Sequence, residues 1–220
     1  MKNKQYSVIT ADIVNSSRME KEPRARLIKT IKEIFKNIDE VFPEIVETPF
    51  EIYRGDSFQG VLKDPTKALS VCIFIKAYLR KSFESTLKNA WDARLALGIG
   101  EIDFSSDKGS EGDGPAFRRS GPVLDGMKGD NRMMITTPWQ HVNKEFEVSC
   151  AFLDIVISRW SSSQAEVVLE QLNGITQQQI ADKLKISQVA VHQRIRNSGW
   201  YAVQKFLKRY ESVVQTCIEE

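Results

Sequence analysis

Tyr6-Ser7-Val8-Ile9-Thr10-Ala11-Asp12 and, further on, Glu51-Ile52-Tyr53-Arg54-Gly55-Asp56-Ser57-Phe58-Gln59-Gly60-Val61-Leu62 are the stretches that decide the fold. The first is an apolar run that ends on a carboxylate and reads as a strand. The second reads as two strands joined by a tight turn at Gly55-Asp56. Each strand tip therefore carries an aspartate. Neighbouring strands with a carboxylate at each tip can present paired oxygen ligands to Mg²⁺ or Mn²⁺. The same residues also admit a plainer reading, in which Asp12 caps a helix and Asp56 fills a hairpin turn.

Outward from these strands, Leu27, Ile28, Ile31, Ile34, Phe35 and Ile38 recur at helical spacing, and Pro43 stops the pattern. A second helix is predicted from about Pro65 to Ser85. Ala93-Arg94-Leu95-Ala96-Leu97-Gly98-Ile99-Gly100 is nearly continuous in apolar character, as a central strand would be. A polar loop from Ser105 to Gly114, a helix over roughly Ala116 to Met127 and a short strand from Arg132 to Thr136 follow. Strand, helix, strand, strand, helix, strand is the split βαβ order of ferredoxin-like, palm-type α+β folds. That topology brings the first and third strands together, and with them Asp12 and Asp56.

Pro138 to about Trp160 reads as a connecting helix, and Ser161-Ser162-Ser163 offers an N-cap for the next one. The expected organisation is an α+β domain over 1–138, a connecting helix over 139–160 and an all-α domain over 161–220. No internal repeat or low-complexity tract interrupts it. A net charge of +2 across 220 residues points to no particular partner, so any basic surface must be local. Three widely spaced cysteines and two histidines suit reduced buried thiols better than a disulfide frame or a zinc site. The N-terminus lacks a signal-peptide pattern, and the apolar run from Ala68 to Leu79 is too short to span a bilayer. The expectation is a soluble cytoplasmic protein with no membrane partner.

In the C-terminal region, Thr176 is placed to cap a short helix whose Ile180 and Leu184 face inward, and Ala181 allows a close helix crossing. Ile186 plugs the turn, Ser187 caps the next helix, and Val191 and Ile195 bury its inner side. That is helix-turn-helix architecture. Gln188, Val189, His192, Gln193 and Arg196 are expected on the outer face beside Ser187. Glutamine and arginine there can read adenine and guanine edges of double-stranded DNA. Lys205 and Lys208 on the following helix would meet phosphates. No acidic residue lies between Asp182 and Glu211, so charge is sorted toward that end. The same three helices could instead serve protein contact.

The pattern T-x-x-x-I-A-x-x-L-x-I-S-x-x-x-V over residues 176–191 resembles the helix-turn-helix of sigma-factor region four. The segments Thr10 to Ser17, Arg54 to Phe58 and Ala93 to Gly100 resemble the core motifs of class III nucleotide cyclase domains. Together with Asp113-Gly114-Pro115-Ala116-Phe117 and the C-terminal module, the whole chain resembles the SatD family of bacterial proteins. The cyclase resemblance implies that Asp12 and Asp56 hold Mg²⁺ or Mn²⁺, and that the backbone of Ile13, Val14, Asn15, Ser16 and Ser17, with Arg54, contacts the phosphates of a nucleoside triphosphate. It implies a homodimer, because cyclase-type domains build their sites between two protomers. Cyclases that select a purine place a lysine four residues before the hairpin aspartate, where this chain has Ile52. Their third helix opens with an asparagine and arginine pair, where this chain has Phe117-Arg118-Arg119. Arg118 or Arg119 would neutralise developing phosphate charge if the domain is active, and would pair with Glu111 or Asp113 if it is not. The resemblance thus suits a transcriptional regulator that senses a nucleotide, and leaves open an active cyclase of unusual base preference.

Overall fold

β1 (Tyr6–Ile13) lies at the middle of a five-stranded sheet of order β2-β3-β1-β4-β5 in a computed structural model that describes residues 4–16, 19–82, 91–103 and 112–220. Its partners are β3 (Ser57–Leu62), where Ala11 faces Phe58, and β4 (Ala93–Gly100), where Ala11 faces Leu95. Both pairings are antiparallel, as is that of β3 with β2 (Val46–Arg54). β5 (Met133–Thr136) joins the far edge parallel to β4. The α+β, ferredoxin-like core expected from the strand order is present, extended by one edge strand.

Alternation along β1 sorts the two faces. Ile9, Ala11 and Ile13 are buried on the side covered by α1 (Lys21–Val41) and α2 (Ala68–Lys81), where Leu27, Ile31, Ile34 and Ile38 of α1 form the facing stripe. Val8 packs on the opposite side with Val61 and Ala116 of α3 (Pro115–Gly126). Gly98 is what lets α3 lie so close, since a Cβ there would fall 2.3 Å from the Ala116 carbonyl oxygen. On the same face the buried Thr10 hydroxyl sits 2.8 Å from Gln59 Oε1 and 2.9 Å from Ser120 Oγ, tying α3 to the sheet.

Two expected elements differ in extent. The strand read at Glu51–Arg54 begins at Val46, and it contains Pro49 and register shifts that break simple alternation. The helix read from Pro65 starts as a 3-10 turn at Pro65–Lys67 capped by Asp64, and α2 proper runs to Lys81. Residues 83–85 of that expectation, and 105–111 of the polar loop, lie outside the described residues.

The C-terminal helices are α4 (Gln140–Ser158), α5 (Ser162–Leu172), α6 (Gln177–Leu184), α7 (Gln188–Asn197) and α8 (Trp200–Glu219). Reciprocal capping boxes, Ser161 with Gln164 and Thr176 with Gln179, start α5 and α6. These helices share the core of the sheet: Val168, Trp200, Tyr210 and Val214 belong to the same buried cluster as Leu69 and Ile73 of α2. Tyr210 donates its hydroxyl hydrogen to the Pro65 carbonyl at 2.8 Å, and Trp160 Nε1 donates to the Ser198 carbonyl at 2.6 Å.

A buried ion network fastens α2 to the start of β4 and to α4. Lys76 is 1% exposed, yet its ammonium donates to Asp92 Oδ1 at 3.1 Å and to the Ala93 carbonyl at 2.9 Å. Arg80 donates to Asp92 Oδ2 at 3.1 Å and to the Ser158 carbonyl at 3.2 Å. Asp154 of α4 accepts the Arg132 and Met133 amides at 2.7 and 3.0 Å. All three cysteines are buried and free, and burial pushes the Cys72 thiol up to about 12. Among the described residues no helix is long and apolar enough to cross a membrane.

Candidate functional site

Asp56 is hydrogen-bonded to the peptide unit that follows Asp12. Asp56 stands in the β2–β3 turn, which Gly55 allows by adopting φ +63°, and its Oδ2 accepts the Ile13 amide hydrogen at 3.1 Å. The carboxylate of Asp56 therefore lies against the bond that joins Asp12 to Ile13. Asp12 projects from the α3 face, and its cross-strand partner on β4 is Arg94. Arg94 grips both carboxylate oxygens: Nε donates to Oδ1 at 2.9 Å and the second guanidinium nitrogen donates to Oδ2. Its remaining nitrogen donates to the Met127 carbonyl at 3.2 Å, fixing the side chain from the end of α3. The hydrogen bonds that Arg94 donates to Asp12, and the negative charge of that carboxylate, hold the guanidinium above its ordinary value. Arg24 of α1 also stands near the turn, 3.8 Å from where a Gly55 Cβ would be.

The loop after β1 is more engaged than its sequence suggests. The Ile13 amide is taken by Asp56, and the Val14 amide donates to the Asp92 carbonyl at 2.9 Å. Asn15 is held in the left-handed region at φ 60°, and α1 starts only at Lys21. Asn15 and Ser16 are thus the described part of the expected phosphate cradle that could still present amides. Ser17 lies outside the described residues. Arg54 ends β2 one residue before Gly55.

Arg118 and Arg119 are not brought to this site. Arg119 donates to the Ile99 carbonyl at 3.3 Å, at the far end of β4 from Arg94. Ile99 lies five residues along the strand from Arg94, roughly 17 Å at about 3.3 Å per residue. Arg118 is bound by Asp103 at 2.9 Å and Asp113 at 2.7 Å. Of the two carboxylates expected to hold an inactive arginine, Asp113 does so, while Glu111 lies outside the described residues.

The expected groove-facing residues do share one face. Gln188, Val189, His192, Gln193 and Arg196 of α7 are all exposed, while Val191 is fully buried against Ile180 and Ala181. Lys185 makes the turn between α6 and α7 in the left-handed region at φ 54°. Ser187 Oγ accepts the Ala190 amide at 3.1 Å and so caps α7. Arg194 instead turns toward Glu166 at 3.6 Å. On α8, Lys208 is exposed and Lys205 lies 5.2 Å from the centre of the Tyr201 ring.

A family model described as the SatD family matches residues 6–213. The chain belongs to the SatD family. A search of curated proteins gave no match. Among solved structures, this SatD-family chain is similar to the catalytic core of a rhodopsin-guanylyl cyclase with converted specificity in complex with ATPαS. They share 18% identity over 61% of this chain and 77% of that one, with a TM-score of 0.45. It is also similar to the adenylyl cyclase CyaB from P. aeruginosa, at 15% identity over 61% and 77% of the two chains and a TM-score of 0.44. A non-canonical dimeric guanylyl cyclase domain of the RhoGC fusion protein from the aquatic fungus Blastocladiella emersonii gives 21% identity over 46% and 59%, with a TM-score of 0.35.

The donor chemistry at the SatD-family site fits a hard divalent cation in kind, since two carboxylates flank one peptide and Asp56 keeps one oxygen outside the Ile13 hydrogen bond. It is not preassembled. Arg94 supplies the positive charge that Asp12 needs, and no cluster of three or more His, Cys, Asp or Glu occurs among the described residues. Sequence reading missed Arg94, because only strand register reveals that it faces Asp12. It also missed Tyr53, 43% exposed on β2, whose phenol is pushed up by burial and then by the charges of Asp125 and Asp12. The signal for Tyr53 was its position three residues before Asp56.

Proposed function

We propose that this SatD-family protein is a cytosolic DNA-binding transcriptional regulator whose cyclase-like part, within residues 1–138, senses a nucleotide and a divalent cation as a homodimer. The connecting helix over 139–160 then joins it to a DNA-binding part over 161–220. The observation that carries the reading is the pair of carboxylates at one peptide with Arg94 across them. A nucleoside triphosphate with Mg²⁺ or Mn²⁺ suits that group: the cation takes the carboxylates, and the released Arg94, with Arg54, meets phosphate oxygens. The cation when bound would neutralise phosphate charge; Asp12 and Asp56 would hold it. For the DNA half, the support is an exposed α7 face carrying Gln188, His192, Gln193 and Arg196 with no acid on that helix. Paired half-sites on DNA and a two-fold protein would match.

Melting the protein with each ribonucleoside triphosphate and Mn²⁺ or Mg²⁺ tests the nucleotide half. A ligand at a hundred times its dissociation constant should add about 2.7 kcal/mol. Asp12→Asn should remove the metal-dependent part of the shift. An undiminished shift in that variant would place the ligand elsewhere.

The rival reading, an active nucleotidyl cyclase of unusual base preference, is favoured by the two carboxylates. In that reading Arg118 and Arg119, which stand at the other end of β4 from Arg94, would reach the site from a second copy of the chain. Pyrophosphate release from the four ribonucleoside triphosphates with Mn²⁺ decides between them. Turnover near 1 s⁻¹, at the low end of ordinary enzyme rates, would favour the cyclase.

DNA contact is tested by two substitutions with different signatures. Gln188→Ala should relax base preference at one position and weaken the preferred site by about 1–3 kcal/mol. Lys208→Ala should weaken all sequences alike and flatten the salt dependence. If neither changes DNA retention, residues 161–220 do not read DNA.

A further inference from the structure

The outer side of α4 is apolar where a solvent-facing helix should be polar. Val148, Phe152 and Ile155 are 58%, 67% and 50% exposed, and their spacing of four and three residues lines them along one stripe. Beside Phe152 a groove of about 170 Å³ opens between α4 and α8, lined by Ser149, Val156, Ala202 and Phe206. Singly exposed apolar residues need no explanation, but three in register next to an apolar groove mark an interaction surface.

Charge identifies the occupant. The stripe is closed at both ends by cations, Lys144 four residues before Val148 and Arg159 four residues after Ile155. Both are exposed, and among the described residues neither has an ion-pair partner; the exposed acid of α4, Glu147, flanks the stripe on the side away from the groove, so cations still mark its two ends. A second copy of the chain fits badly. Antiparallel packing of two such helices centred on the stripe sets Lys144 against Arg159, and parallel packing sets each cation against itself, so both arrangements meet like-charge repulsion. A helix with an apolar stripe and carboxylates at both ends meets no such penalty. We propose that the α4–α8 face is the docking site for an amphipathic helix of a partner protein, acidic at each end of its apolar stripe. Phe152 and the groove beside it supply the anchor, and Lys144 and Arg159 fix register. The proposal is independent of both the nucleotide and the DNA readings.

The test uses the full chain and a labelled synthetic helix of about 18 residues, long enough for the stripe at about 1.5 Å per residue. Its leucines repeat at helical spacing, and glutamates occupy both ends. A matched peptide carries lysines in their place. Fluorescence anisotropy should show the glutamate peptide binding at least about tenfold more tightly than the lysine peptide. Phe152→Ser should weaken it by a similar factor, and the double variant Lys144→Glu, Arg159→Glu should reverse the preference between peptides. Equal affinity of the two peptides for the unaltered chain, or no binding of either, overturns the proposal without needing any variant. Sedimentation of the unaltered chain and of Phe152→Ser gives the other contrary outcome: a dimer that falls apart on that substitution assigns the face to a second copy. These positions are exposed, so the circular dichroism and melting of the variants should match those of the unaltered chain.

Discussion

Asp92→Ala is expected to lose about 3–5 kcal/mol of stability, because it leaves two buried cations without their shared counter-charge. Lys76 is 1% exposed and Arg80 6%, so neither can turn to water for compensation. Against a total stability of about 5–15 kcal/mol, that loss should appear as a fall in Tm on the order of 10 °C. The neighbouring Asp154 should behave differently. Asp154→Asn keeps a carbonyl to accept the Arg132 and Met133 amides, and its Oδ1 is 4.0 Å from Lys76, so the change should stay within about 1 kcal/mol. Equal losses at the two positions would refute this account of the network.

The pH dependence separates the two carboxylates further. Burial alone would raise Asp92, but Lys76 and Arg80 outweigh it and hold the carboxyl below its usual range. Its contribution to stability is therefore present above the unfolded-state value, about 3.9, and is lost as pH falls through the lower folded value. Burial raises Asp154, despite Lys76 and two amide hydrogen bonds. Its ionisation thus removes stability as pH climbs from the unfolded value through the higher folded one. Urea titrations at several pH values should show Asp92→Asn with a shallower acid-side loss than the unaltered protein, and Asp154→Asn with a steeper one.

Trp160→Ala should cost about 3–5 kcal/mol, the usual range for emptying a buried tryptophan site. The side chain is 1% exposed, and its indole hydrogen bond to Ser198 joins the end of α4 to the α7–α8 turn. Because α5 and α8 bury residues in the same cluster as α2, the variant should still unfold in one transition, followed equally by near-UV and far-UV circular dichroism. Two separated transitions would show that residues 161–220 hold together on their own.

Much of this was legible in the residues, and the reasons are local. β4 was bounded correctly because a run between Trp91-Asp92 and Glu101 that is apolar but for Arg94 admits little else. The α6–α7 turn was legible because Thr176, Ala181, Ile186 and Ser187 each answer a different geometric demand of that turn. The first half of β2 was not, since Pro49 and the register shifts hide its alternation. Lys76 is a lone charge within the apolar run from Ala68 to Leu79, and only the packing of β4 and α4 against α2 supplies the acids that pair with it. The pairing of Arg94 with Asp12 crosses 82 residues of sequence and exists only once strand register is fixed. Arg118 and Arg119 were legible as candidate arginines but not in position, because nothing local says which end of α3 lies beside Asp12.

The shared core also sets a timetable for the emerging chain. β1 is made first, yet it has no second neighbour until β4 appears, with Ile9 facing Leu97. Even then the outer side of α2 waits for Tyr210 and Val214, which come more than a hundred residues after Lys81. At about 5–20 residues per second, ribosomal synthesis leaves that apolar surface without its cover for roughly 10 s. A chain stopped before Trp200 should therefore aggregate rather than persist as a free sheet domain.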